Sequence, residues 1–128
     1  MTIQVKTTDY TGVDDPSWLG SAHGYESMDT GTLDVSKFTA GTYYPNGVIP
    51  GGTKLGLVTA TKLYGPYDDT ATDGRETLVG FLGKAQVVGG QTRLVSPIFK
   101  HGEVVESRLP FPVDAAGWAD VDGRIWRA

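Results

Sequence analysis

The 128-residue chain contains no cysteine. It can therefore form no disulfide, no thiolate nucleophile and no cysteine-ligated zinc site. Its fold has to rest on packing alone, which suits a reducing compartment. Histidine is scarce as well: His23 and His101 are the only two, both beside glycine, with no HxH or HxxxH spacing that would hold a metal. No run approaches the roughly 18 apolar residues that a membrane helix requires. The first ten residues, Met1 to Tyr10, lack a basic segment followed by an apolar stretch, so export through a secretory signal is not expected. Basic residues are scattered, and no three lie together. Nucleic-acid binders draw most of their affinity from clustered cations on phosphates, so no nucleic-acid partner is expected. Internal repeats and low-complexity tracts are absent too.

What the chain does have is turn formers and a moderate apolar content. Gly and Pro number 18 and 7, while 39% of residues are hydrophobic and 10% aromatic. The glycines follow no Gly-X-Y period, which excludes collagen. The apolar fraction argues against disorder. A chain of this length fits one domain that buries roughly two-thirds of its unfolded surface. Net charge is −4, and it is distributed unevenly. Residues 1–36 carry six carboxylates against Lys6 alone, a net of −5, whereas residues 37–128 are close to neutral. Such an acidic segment either forms a solvated surface or meets a basic partner.

Texture along the chain changes near residue 30. Before it, Ile3 and Val5 alternate with polar residues as in a short strand, and Gly12, Pro16, Gly20 and Gly24 break regular structure. This predicts an extended arm over residues 1–29, with Trp18, Leu19 and Tyr25 as apolar anchors. After it, short β-rich runs alternate with turn signals. Leu33 and Val35 mark a strand. Tyr43-Tyr-Pro-Asn-Gly47 and Pro50-Gly-Gly52 mark turns around Val48-Ile49. Residues 55–62 read as a strand, and 64–75 as a loop. Residues 77–82 and 85–88 read as strands, with Gly89-Gly90 as a tight hairpin turn. Residues 92–99 and 103–106 read as a second hairpin turning at Lys100-His-Gly102. Asp114 caps one predicted helical turn, and Arg124 to Trp126 form a last strand. The expected fold is mainly β: a small single-domain β-barrel or β-sandwich-like fold with little helix, spanning residues 30–128 and preceded by the extended N-terminal arm.

Motifs that could carry chemistry fail at specific positions. Gly47 to Lys54 has the glycine spacing of a phosphate loop, but Thr53-Lys54 reverses the required order and a β-rich run replaces the helix. Asp69 to Gly74 resembles a calcium loop, but Ala71 stands at the third ligand position and Gly80 where the bidentate glutamate belongs. No Gly-x-Ser-x-Gly elbow is present. Glu103 and Glu106 would face opposite sides of one short strand, a poor pair for acid–base work. No catalytic, metal-binding or cofactor-binding residue is therefore assigned, and no enzymatic activity or cofactor is expected. The tyrosines are more informative. Tyr43, Tyr44, Tyr64 and Tyr67 sit beside Pro or Gly, in positions suited either to loop packing or to a contact surface.

Taken in order, Tyr44-Pro-Asn-Gly-Val-Ile-Pro50, Gly52-Thr-Lys-Leu-Gly56, Val58-Thr-Ala-Thr-Lys-Leu-Tyr-Gly-Pro-Tyr-Asp68, Thr72-Asp-Gly-Arg-Glu76 and Val79-Gly80 resemble a phage head decoration protein. The resemblance is to the lambda-type capsid-stabilising family, as found in tailed phages of actinobacteria. His101-Gly-Glu-Val-Val105 is similar to a later segment of the same proteins, so the likeness spans about residues 30–110. It implies a homotrimer on the three-fold and quasi-three-fold sites of the expanded head. There it would clamp the major capsid protein against the pressure of packaged DNA. It implies no membrane partner, location on the outer surface of the virion head and synthesis in the host cytoplasm. It also implies an N-terminal arm that adds a strand to the shell protein, matching the Ile3/Val5 alternation. Capsid-contact candidates on the arm are Ile3, Val5, Tyr10 and Trp18. Loop or interface candidates are Tyr44, Tyr64, Tyr67, Asp73 and Arg75. The Trp18 region and the Trp118–Trp126 tail have no counterpart in the resemblance.

A different class of function stays open on the same residues: a β-rich module that binds carbohydrate or a host surface through its Tyr and Trp loops. On the arm reading, deletion of residues 1–20 is expected to abolish capsid binding and leave the fold intact.

Overall fold

The structure, a computed structural model, describes residues 15–21 and 28–128. Ile3, Val5 and Tyr10, and with them most of the expected arm, lie outside the described residues. The domain is mainly β, as its turn-punctuated apolar runs require. Its strands are β1 (Asp29–Asp34), β2 (Val48–Ile49), β3 (Lys54–Leu57), β4 (Tyr64–Pro66), β5 (Gly80–Leu82), β6 (Gln86–Val87), β7 (Arg93–Phe99), β8 (Gly102–Val104) and β9 (Ile125–Arg127). Two short helices interrupt them, α1 (Ala40–Tyr43) and α2 (Ala115–Asp120).

Five strands close into a barrel in the order β1-β4-β3-β5-β7. Its longest ladder is antiparallel, β1 against β7, running from Asp29 opposite Ile98 to Asp34 opposite Arg93. A parallel contact, Leu33 opposite Tyr64, joins β1 to β4 on the other side. Closure removes the exposed edges that make isolated sheets prone to association. Two further pairs lie outside the barrel: antiparallel β2–β6 and parallel β8–β9.

Side-chain alternation divides the apolar residues between two cores. Leu82, Leu94 and Ile98 point into the barrel, where they meet Leu33, Leu55 and Tyr64. Phe81 and Phe99, one step along β5 and β7, point outward into a second core. That core is closed by Trp18, Leu78, Val104, Trp118, Val121 and Ile125. Trp18 packs edge-on against Phe99 with centroids 5.3 Å apart, and its side chain is 1% exposed. Its backbone is held as firmly. Val105 N–H donates to the Trp18 carbonyl at 2.6 Å, and Gly20 N–H donates to the Glu103 carbonyl at 2.9 Å. Residues 18–20 therefore lie along β8 as part of the domain.

Three expectations about strand pairing need correction. Residues 64–75 are not all loop, because Tyr64–Pro66 form the buried strand β4. Gly and Pro within it mask the signal, and Pro66 closes the strand, where its missing N–H matters least. Gly89 and Gly90 do adopt positive φ, +57° and +76°. Yet the strands they join do not pair with each other: β6 pairs with β2, and β7 enters the barrel. Likewise β8 turns away from β7 at Gly102, φ +138°, and pairs with the C-terminal β9. The helical turn capped by Asp114 is present, with Gly117 N–H donating to Asp114 Oδ1 at 2.8 Å.

Candidate functional site

The candidate loop residues fall into three groups. The first surrounds the 68–77 loop, which crosses the outer face of β3 and β4. It can lie there because Gly56 and Gly65 are opposite each other in the ladder and present no side chains. A Cβ on Gly56 would stand 2.6 Å from Arg75 Cα, and one on Gly65 would stand 2.7 Å from Arg75 Cδ. The Arg75 guanidinium pairs with Asp73 through Nε at 3.0 Å, and Lys37 Nζ lies 3.9 Å from the same carboxylate. Burial alone would raise the Asp73 carboxyl. Hydrogen bonds from the Arg75 backbone and side chain, with the Arg75 charge, together hold it below its usual range. Asp73 and Arg75, both loop or interface candidates, pair with each other and fix this loop. Among the described residues, no group of three side chains that could hold a metal ion occurs.

The second group is centred on Tyr67. Its ring is buried, and its hydroxyl donates to Asp114 Oδ1 at 2.7 Å. Burial, followed by this carboxylate, raises the phenol above its ordinary range. The same Asp114 oxygen caps α2, so one carboxylate joins loop and helix. Hydrogen bonds from Tyr67 and Gly117 lower the Asp114 carboxyl, while the facing Asp114 raises Asp69. Tyr64 is buried in the barrel core, with Lys100 Nζ 5.7 Å from its ring centroid. Tyr64, Tyr67 and Trp18 are thus core side chains and not surface contacts. Adjacent Pro and Gly made the first two resemble loop residues, and Trp18 stands in a segment that lacks strand periodicity.

The third group was only partly legible. Residues 38–53, 85–92 and 109–113 contain no charged side chain. The fold brings the three runs together, since β2 pairs with β6 and Phe111 packs on Tyr43 with centroids 4.8 Å apart. Tyr43 and Tyr44 form a ridge between two clefts. On one side lies a cavity of about 530 Å³ lined by Thr42, Tyr43, Asn46, Val48, Pro110 and Phe111 among others. On the other lies one of about 480 Å³ that Tyr44 shares with Val35, Val88 and Gly89 to Thr92. Among the described residues, neither lining contains a charged side chain. Burial raises the Tyr43 phenol, with a smaller contribution from Asp68. Of the tyrosines expected at a contact surface, Tyr43 and Tyr44 are the two left half-exposed, one at each cleft. The missed neighbours, Phe111 and the Gly89–Thr92 turn, lie more than 40 residues away in sequence, and only their lack of charge could have singled them out.

No family model matches the chain, and no curated protein or solved structure matches it either.

Proposed function

We propose that this chain is a structural virion protein, a capsid cement without catalytic activity. It binds the major capsid protein on the outer surface of the expanded phage head, as a homotrimer at three-fold and quasi-three-fold sites. There it stabilises the shell against the pressure of packaged DNA. One observation carries the reading. The spaced residues of the resemblance are the ones that determine this barrel locally. Gly56 and Gly65 face each other, Arg75 lies across them, and Gly80 opens β5 beside Leu55. The likeness is therefore to a set of mutually dependent packing positions, spread over three strands and a loop, and not to one short string.

The physics of the fold suits such a role. A closed barrel shares strands β5 and β7 with a second core on its flank, which ties the two layers together. Three copies bound together would also share the entropic cost of docking. The test is addition of purified protein to undecorated expanded heads of actinobacterial tailed phages, imaged by cryo-electron microscopy. Density at the three-fold positions is expected, with three copies at each. Absence of added density on any head would overturn the reading.

A further inference from the structure

We propose that the cleft between Tyr43, Asn46 and Phe111 binds a neutral oligosaccharide. This goes beyond the capsid reading and does not depend on it. The chemistry of the lining selects the ligand class. Among the described residues no charged side chain lines either cleft beside the Tyr43–Tyr44 ridge, and the charges that act on Tyr43, those of Asp68 and Arg75, are opposite in sign, so a phosphate, carboxylate or ammonium would lose water and gain no net counter-charge. A wholly apolar ligand fits no better. Among the described residues, no hydrogen bond engages the side chains of Thr42, Tyr43, Tyr44 or Asn46. An apolar occupant would bury some of these groups unsatisfied.

What remains is a ligand that is uncharged, with a flat C–H face and a hydroxylated rim. Phe111 and Tyr43, tilted at 53° to each other, offer the apolar surface, and Pro50 and Pro110 extend it. Phe38 packs edge-on against Tyr43 at 5.5 Å and fixes that ring from below. The platform is therefore preorganised, which reduces the entropy lost on binding. Asn46 supplies both a donor and an acceptor, and the Thr42 and Tyr43 hydroxyls supply either. At about 530 Å³ the open cleft falls within the size range of small-ligand sites. The second cleft, across the ridge, gives a longer chain somewhere to continue.

The test is a titration of the ¹⁵N-labelled full chain with maltotriose, cellotriose and N-acetylchitotriose, followed by amide chemical shifts. At least one trisaccharide should shift Asn46, Gly47, Val48 and Phe111 with a Kd of about 1 mM, and more tightly than its monosaccharide. Phe111→Ala should weaken that binding about tenfold. Asn46→Ala, on an exposed turn that the core does not need, should weaken it with the spectrum otherwise unchanged. The proposal is overturned if none of the three sugars shifts these amides at about 10 mM, well above that Kd. It is equally overturned if only a decaproline peptide does so, or if the same amides shift on simple dilution, which would mean that a second copy occupies the cleft.

Discussion

At the scale of single residues, the glycines separate into those the fold needs and those it tolerates. Gly56 is needed because the backbone of Arg75 passes where its side chain would be. Gly56→Ala should destabilise the domain by about 2–3 kcal/mol, since backbone, unlike a flexible side chain, cannot step aside. Gly41 is the contrast: it lies in α1, and a Cβ there meets nothing within 4 Å. Gly41→Ala should be neutral or stabilising by up to about 1 kcal/mol. Urea denaturation of the two variants reads both signs, and equal losses would refute the close-approach argument. Sequence alone could not rank these two glycines, because the difference depends on which distant segment lies over each.

Residue scale also sets the acid response. The Asp114 carboxyl is lowered by hydrogen bonds from Tyr67 and Gly117, so it contributes stability above its unfolded value near 3.8, lost as pH falls through the lower folded value. Asp69 has the opposite sign. The Asp114 carboxyl beside it, by hydrogen bonding and then by charge, raises its pKa. Its contribution is thus most favourable when it is protonated, and it is lost as pH rises through the raised value. Asp69→Asn should raise Tm at pH 7, and the gain should fade towards about pH 3, where the native Asp69 is already neutral. Thermal melts of both proteins across that range check this, and a gain that persists unchanged at low pH would refute it.

At the scale of elements, sequence legibility depended on whether a signal was local. The Asp114 cap, the positive-φ turns at Gly47 and Gly52, and the last strand near Ile125 were all legible, because each is fixed by residues within a few positions. Pairing partners were not. Gly89-Gly90 specifies a reversal but not which strands meet after it, and those strands enter different sheets. The segment around Trp18 failed for the same reason. It has no strand period of its own, yet β8 accepts it as a neighbour and the second core accepts its indole. This reverses the expectation for truncation. Trp18→Ala should cost about 3–5 kcal/mol, as for other large buried aromatics. Deletion of residues 1–20 removes the same side chain and should lower stability comparably, so loss of head binding by that variant would not by itself implicate the arm. The check is the denaturation midpoint of both variants; unchanged midpoints would return Trp18 to the arm.

At the scale of the whole molecule, the two cores raise the question of whether they unfold separately. Alternation along β5 and β7 answers it. Phe81 belongs to the outer core and Leu82, the next residue, to the barrel; Phe99 and Ile98 divide in the same way. Rotating or slipping either strand by one residue would exchange the two sets, so neither core can keep its packing after the other is lost. A unit of this size with shared strands should melt in one cooperative step. Trp18 and Trp118 report on the outer core, and amide exchange at Leu33, Leu55 and Ile98 reports on the barrel. Near-ultraviolet dichroism and tryptophan fluorescence should give one midpoint, and the slowest barrel amides should open with the same free energy as global unfolding. A tryptophan transition that precedes barrel exchange by more than the experimental error would show the outer layer to be a separate folding unit, packed on a barrel that stands without it.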